Sequence, residues 1–208
     1  MSIVLGLLYW AVYLCGWVAI RNSREAAAED AWPRPTPWGV GLWCAVSLPS
    51  LLQIALPGML VAGQRDPVAL ADGEWWRLVT SMGLQDGGLF GTVFNLITLA
   101  ISVAIVGEVL PGPTMIVVFV SGGVIGNLLT LAILGGSGAG NSMATMFLVA
   151  AAAVVAAYGL RRLLAPAVVL VAAAVVLCVL HDQHGFAAAA GLVAGVGLGL
   201  VGREPVSP

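Results

Sequence analysis

Two residues at the starts of two apolar segments have the side chains that nucleophilic catalysis needs. Ser142 follows a turn of small residues at 138–141, and His184 precedes a stretch rich in alanine and glycine. A serine hydroxyl becomes a nucleophile when a neighbouring base removes its proton, and histidine is the usual base. The start of a helix also leaves backbone N–H groups without partners, and such donors stabilise an oxyanion. If the fold brings the two segments together, this pair predicts acyl-transfer chemistry.

The composition predicts the kind of fold that must position this pair. Of the 208 residues, 60% are hydrophobic and 9% are charged, and the mean hydropathy is +1.03. Soluble domains carry about 25% charged residues, and a helix needs about 20 apolar residues to cross a bilayer. We therefore predict an all-α, polytopic helical protein in a lipid bilayer, and the net charge of −2 gives no indication of a nucleic-acid partner. Hydrophobic runs predict seven spans, at 2–20, 39–62, 87–108, 114–134, 140–160, 165–181 and 185–202.

The arginines predict how these spans are oriented. The first span has no basic residue before it, so it is predicted to be a retained helix rather than a signal peptide. Cytoplasmic loops keep positive charge, and an N-terminus outside the membrane puts most of the arginines inside. Those inside are Arg21, Arg24, Arg34, Arg161, Arg162 and Arg203, and those outside are Arg65 and Arg77. The prediction is an outer N-terminus, a cytoplasmic C-terminus, and Ser142 and His184 at the outer face. The lysine-free composition, rich in alanine and glycine, points to a bacterial plasma membrane.

A regular pattern of small residues follows His184 along the seventh span. It consists of Ala187, Gly191, Gly195 and Gly199. Small residues at every fourth position let two membrane helices approach closely, which a serine–histidine hydrogen bond of about 2.6–3.2 Å requires. There are ordinary alternatives, because a membrane serine often bonds its own backbone and a histidine at the interface is often only solvated. His181, Asp182 and His184 also resemble metal ligands, but their spacing supports this weakly, and no metal or cofactor is predicted.

The order of several motifs resembles the rhomboid family of intramembrane serine proteases, over about residues 39–202. The matching stretches are GEWWRLVTSM (73–82), GGLFGTVFNL (87–96), SGGVIGNLLTL (121–131), GNSMAT (140–145) and HGFAAAAGLVAG (184–195). The resemblance implies a six-helix membrane domain at 39–202. Residues 1–38 would then add an extra N-terminal transmembrane helix with a cytoplasmic loop, and residues 203–208 a short cytoplasmic tail.

The resemblance also implies roles for particular residues. Ser142 would be the nucleophile and His184 the base of a dyad, with the oxyanion held by Asn95 and the backbone at Ser142. Trp76 and Arg77 would fix an outer loop at the membrane interface. The implied activity is endopeptidase cleavage of transmembrane protein substrates near the outer face, without a cofactor. No buried carboxylate is expected to orient the histidine, because the nearest one belongs to a turn two residues away.

Three positions depart from the family pattern, and other readings remain open. Gly91 stands where the family has a histidine that helps to hold the oxyanion, Met143 where it has glycine, and Met146 where it has an aromatic residue that packs on the base. A slow protease is therefore expected. Ser137, in the sequence GGSG at 135–138, is an alternative nucleophile. The alternative functions are a catalytically inactive rhomboid-like protein that binds membrane clients and, ranked last because the spans hold almost no ionisable residues, a transporter or channel.

Overall fold

The chain is a bundle of helices in a computed structural model that describes residues 3–23, 32–160 and 165–201. Within these ranges there is no β-strand, and the single β-bridge joins Arg65 to Gly138. A short 3-10 helix covers Ser81–Gly83. The α-helices are α1 Ile3–Ser23, α2 Pro37–Ala55, α3 Gly58–Gly63, α4 Pro67–Ala71, α5 Arg77–Thr80, α6 Gly88–Val106, α7 Gly112–Ile133, α8 Ser142–Leu160, α9 Ala165–Val179 and α10 Gln183–Val201.

The seven predicted spans correspond to seven apolar helices. Among the described residues, α1, α2, α6, α7 and α10 are long and apolar enough to cross a bilayer. Helices α8 and α9 are apolar as well, over Ser142–Tyr158 and Ala165–Val179. The chain is therefore a multi-pass helical membrane protein. Arg24, Arg161, Arg162, Arg203 and the predicted tail at 203–208 lie outside the described residues.

The predicted span at 39–62 is interrupted in the structure. Helix α2 begins at Pro37, where the Thr36 hydroxyl caps it by accepting the Gly39 N–H at 3.1 Å, and it ends at Ala55. Pro57 follows almost at once, and the residue before a proline is pushed away from helical geometry. The chain then resumes as the short helix α3. The prediction of one continuous span here is wrong because hydrophobicity continues across a backbone break.

Helix α8 forms the centre of the bundle. It packs against α10, α7 and α1, and each residue from Leu148 to Ala153 is at most 1% exposed. The small residues of α10 lie directly on it. A Cβ at Gly195 would stand 2.6 Å from the Ala151 carbonyl oxygen, and one at Gly191 would overlap the backbone of Phe147. The two helices therefore touch backbone to backbone, as the small-residue pattern predicts.

Helix α1 belongs to the same hydrophobic core as the other helices. Its residues Val12, Tyr13 and Ile20 are fully buried, and it packs against α9, α8 and α6. The Trp17 indole N–H donates to the Ser102 hydroxyl of α6 at 3.1 Å. Just beyond the C-terminal end of α6, Glu108 forms an ion pair with Arg21 at 2.8 Å. The first helix is thus an integral wall of the bundle.

Candidate active site

Ser142 and His184 meet where α8 and α10 begin. The serine Oγ lies 2.9 Å from the histidine Nε2, and the histidine side chain is 12% exposed. Both residues occupy the first turn of their helices, so the close packing of α8 on α10 brings the two side chains together. The distance is that of a nucleophile and its general base.

A carboxylate orients the imidazole, contrary to the expectation from the sequence. Asp182 Oδ1 lies 2.8 Å from the His184 Nδ1 and accepts the His184 backbone N–H at 2.9 Å. With the proton on Nδ1, the Nε2 lone pair faces the serine hydroxyl. The expectation that no buried carboxylate orients the histidine is wrong, because Asp182 occupies the N-cap position of α10, and an N-cap side chain folds back over the first turn. His181, at φ 55°, reverses the chain just before it.

The environment of Asp182 keeps this carboxylate ionised. Burial alone raises the pKa of Asp182, but the hydrogen bonds and charge of His184 and the hydroxyl of Tyr9 outweigh burial, so the pKa of Asp182 lies below its ordinary value of 3.8. A carboxylate beside Nδ1 stabilises the imidazolium that forms when the serine loses its proton. The described geometry is therefore that of a serine–histidine–aspartate triad.

Tyr9 of α1 completes the surroundings of the histidine, and no local pattern in the sequence indicates this contact. Its hydroxyl donates to Asp182 Oδ2 at 2.7 Å, and its ring centroid lies 4.5 Å from that of His184. Met146, at the position where the family has an aromatic residue, is 1% exposed and borders the same cleft. The aromatic neighbour of the base thus comes from a different helix.

Asn95 borders the other side of the serine. A Cβ at Gly140 would stand 3.5 Å from Asn95 Nδ2 and 3.6 Å from Ser142 Oγ, so both atoms face one small space. Asn95 Nδ2 donates one hydrogen to Gln85 Oε1 at 2.7 Å, which leaves its second hydrogen for an oxyanion. As the first residue of α8, Ser142 also has a backbone N–H that no helical carbonyl uses. These two donors are those that the resemblance implies.

Gln85 holds this side of the site in place, and the sequence analysis missed it. It is 2% exposed, and its Nε2 donates to Asn141 Oδ1 at 2.8 Å and to the Ser50 hydroxyl at 3.1 Å. Its own backbone is fixed by the side chain of Gln53, at 3.0 Å and 2.7 Å. Because all the polar atoms of the Gln85 side chain are bonded, Gln85 is rigidly held and sets the orientation of Asn95.

Arg65 ties together the loops that lead to the two reacting residues. Its backbone pairs with Gly138 through two hydrogen bonds of 2.9 Å. Its guanidinium donates to Asn127 Oδ1 at 2.9 Å and to Gln183 Oε1 at 3.3 Å. The loop before Ser142, helix α7 and the first residue of α10 are therefore held by one side chain that is 3% exposed.

Ser137, the alternative nucleophile, has a different partner. Its hydroxyl is exposed and donates to Asp66 Oδ2 at 2.7 Å. The pKa of Asp66 is lowered, first by the backbone N–H of Ala69 and then by this hydroxyl. Because the partner is a carboxylate that caps α4, the described contacts give Ser137 no imidazole as its base.

Trp76 directly precedes the short helix α5 and Arg77 is its first residue, in the loop region that joins α2 to α6. Trp76 is 56% exposed. Arg77 pairs with Glu74 at 2.6 Å and donates to the Val61 and Gln64 carbonyls at 2.9 Å and 3.2 Å. The arginine thus holds the loop together, and the tryptophan ring faces outward beside it.

An apolar cleft of about 760 Å³ leads to the serine. Its far wall comes from α1 and α6, where Trp10, Phe90 and Val93 remain 39%, 79% and 47% exposed. Gly91 faces the cleft, and no atom lies within 4 Å of where its Cβ would be. Ser142 and His184 are therefore reached through a hydrophobic opening between two membrane helices.

The metal reading of the histidines finds no grouping in the structure. His181 is exposed and its Nδ1 lies 3.1 Å from the Val179 carbonyl. Within 3–23, 32–160 and 165–201, no three His, Cys, Asp or Glu side chains are grouped closely enough to hold a metal ion.

No protein-family model matches the sequence, and comparison with curated proteins finds no match either.

Proposed function

We propose that this protein is an intramembrane serine endopeptidase of rhomboid type. The observation that carries the proposal is the 2.9 Å contact between Ser142 Oγ and His184 Nε2 at the end of an apolar cleft. A hydroxyl beside an oriented imidazole is what acyl transfer needs. The apolar walls of the cleft fit a hydrophobic substrate better than a soluble one.

The reaction would run in two acyl-transfer steps. His184 Nε2 takes the Ser142 proton as Oγ attacks a peptide carbonyl, and the negative charge on that oxygen is met by Asn95 Nδ2 and the Ser142 N–H. The imidazolium, stabilised by Asp182, then gives its proton to the leaving amine, and the C–N bond breaks. Water attacks the resulting ester with His184 again as base, which releases the carboxylic acid and restores the serine.

The substrates would be transmembrane segments with a weakened helix. A peptide carbonyl inside a regular helix is hydrogen-bonded and unavailable for attack, and lipid offers no replacement partner. Segments with glycine or proline near one end would unwind at lower cost. Such a segment could reach Ser142 between α1 and α6, where Trp10 and Phe90 border the cleft.

The proposed location is a bacterial plasma membrane, with the reacting residues near the outer face. The support is the arginine distribution, in which Arg21 follows the predicted inner end of α1. A reporter that is active only in the periplasm should be inactive when fused after residue 208. A reporter that is active only in the cytoplasm should be active at the same position. The opposite result would reverse the orientation and put the cleft on the cytoplasmic side.

The activity is tested with a fluorophosphonate probe and a rhomboid-type reporter substrate. The purified protein should be labelled by the probe and should cleave the reporter, Ser142→Ala should lose both, and Ser137→Ala should keep both. The Ser137 variant is a matched control because it removes a hydroxyl five residues away. Loss in Ser137→Ala alone would move the nucleophile. Absence of labelling in the unmodified protein would reject the protease proposal and favour the client-binding alternative, for which the glycine at position 91 is the supporting observation.

A further inference from the structure

We infer that Tyr9 is a positioning residue for the base, so that the additional helix α1 forms part of the catalytic apparatus. The inference rests on the proposed function for its catalytic meaning and on geometry for its physical content. Tyr9 takes no part in the proposed proton transfers. It acts through Asp182 and His184, which it contacts with its hydroxyl and its ring.

The hydroxyl of Tyr9 fixes the orientation of the Asp182 carboxylate. One carboxylate oxygen is used by His184, at 2.8 Å to the ring and 2.9 Å to the backbone. The other is used by Tyr9 at 2.7 Å. With both oxygens bonded to partners from different helices, the plane of the carboxylate is set, and a charge-assisted hydrogen bond of this kind is strong.

The ring of Tyr9 limits how the imidazole can turn. The two centroids are 4.5 Å apart with the planes inclined at 52°, which is close contact for two rings. Met146 of α8 is buried and borders the same cleft as His184. A flexible thioether fills space there but gives little orientation, so α1 supplies the rigid surface.

Helix α1 is itself held firmly enough to position another residue. Tyr9 is 8% exposed, and Tyr13, one turn further along, is fully buried and stacks on Trp17. The Trp17 indole is bonded to Ser102 of α6. Because Trp17 and Arg21 also hold the helix, through Ser102 and Glu108, the position of Tyr9 does not depend on Asp182 alone.

The hydroxyl deletion Tyr9→Phe tests this role. It keeps the ring and removes the hydroxyl that donates to Asp182. The negative charge of Asp182 is then stabilised by one hydrogen bond fewer, so it favours the protonated form of the His184 imidazole more strongly. We expect kcat to fall by about tenfold, as for loss of one hydrogen bond to a charged group, with KM little changed. The acidic limb of the rate profile, which reports protonation of the base, should move to higher pH. Trp17→Phe removes an α1 hydrogen bond away from the site and should change neither kcat nor the pH of the acidic limb.

A second measurement does not need enzymatic activity. The chain has two histidines, so NMR of protein labelled with ¹⁵N-histidine shows two sets of ring signals. The set that remains in His181→Gln belongs to His184. In the Ser142→Ala background, Tyr9→Phe should raise the pH at which the His184 ring gains its proton, and Trp17→Phe should not. The shift should vanish in Asp182→Asn, since Tyr9 acts through that carboxylate.

The results separate this inference from the proposed function. An unchanged His184 titration in Tyr9→Phe would overturn the positioning role, whether or not the protein is a protease. The same shift in the Trp17→Phe control, or a shift that persists in Asp182→Asn, would overturn it too, because the effect would then be general loosening of α1. Failure of probe labelling with a normal titration shift would instead reject only the proposed function.

Discussion

Asp182 and His184 are joined twice through one atom, because Asp182 Oδ1 accepts both the backbone N–H and the ring Nδ1–H of His184. The first bond caps helix α10, and the second fixes the tautomer of the base. A single carboxylate thus links the start of the helix to the chemistry of its second residue. Helix stability and orientation of the base are therefore coupled at this turn.

Replacing this carboxylate by an amide should disable the base. We expect Asp182→Asn to lower kcat by about 10²–10⁴, because a neutral amide does not stabilise the imidazolium and favours the wrong tautomer, as in other serine proteases. The measurement is cleavage of the reporter substrate. Asp66→Asn is the matched control, since Asp66 caps α4 in the same manner without touching His184. Equal rates for both variants would show that the base needs no carboxylate.

The stability contributed by Asp182 should depend on pH. Its pKa is lowered on folding, so its contribution is fully present above the unfolded value of about 4 and is lost as the pH falls through the lower folded value. The difference in thermal unfolding temperature between the unmodified protein and Asp182→Asn should therefore be larger at pH 7 than near pH 3. A difference that stays constant over this interval would contradict the lowered pKa.

Asn95 should be needed for the transition state rather than for substrate binding. Losing one oxyanion donor lowers the rate by about 10²–10³, so we expect Asn95→Ala to lower kcat by that factor with KM nearly unchanged. Thr92→Val is the control on the same helix, because the Thr92 hydroxyl bonds only the Gly88 carbonyl of α6. Unchanged turnover in Asn95→Ala would show that the charge is stabilised elsewhere.

The position of Gly91 has room for a histidine, the residue that the rhomboid resemblance implies there. Because no atom lies within 4 Å of the Cβ position, a histidine can be accommodated and can add a donor to the cleft. We expect Gly91→His to raise kcat, by up to about tenfold for one added hydrogen bond. Gly91→Leu adds bulk without a donor and should not raise it. Equal rates in the two variants would mean that bulk alone matters here.

The contact of α8 with α10 should not tolerate one additional methyl group. A Cβ at Gly191 would overlap the Phe147 backbone, and such overpacking typically costs about 1–3 kcal/mol. Gly191→Ala should therefore lower the thermal unfolding temperature and slow probe labelling, because the helices that carry Ser142 and His184 move apart. Gly197→Ala adds the same methyl where nothing lies within 4 Å and should leave both unchanged. Equal effects would argue against close packing as the cause.

The parts of the site that could be predicted are those encoded by local pattern. Ser142 and His184 lie at the starts of apolar segments, and the glycines at every fourth position predict a close contact between helices. The role of Asp182 was also local but was misjudged. An acidic residue directly before a helix is an N-cap signal, and its carboxylate lies near the second residue of that helix.

The remaining parts have no local signal. Tyr9 lies 173 residues from Asp182 in sequence, and its contact with the base depends on where α1 docks in the bundle. Gln85 lies in a loop, where a polar side chain is ordinarily solvated, yet it is buried between α2, α6 and the loop before α8. Three-dimensional packing decides both roles, so hydrophobic periodicity does not reveal them.

The distance in sequence between Tyr9 and its partners has a consequence for biogenesis. Helix α1 is synthesised and inserted early, whereas Asp182 and His184 arrive with α10, after all the other helices described. During translation Ser142 is therefore in the membrane before His184 has been synthesised. Contacts of such long range close last in folding, so under the proposed function the incomplete chain would lack its base and would not cleave the nascent membrane proteins that surround it.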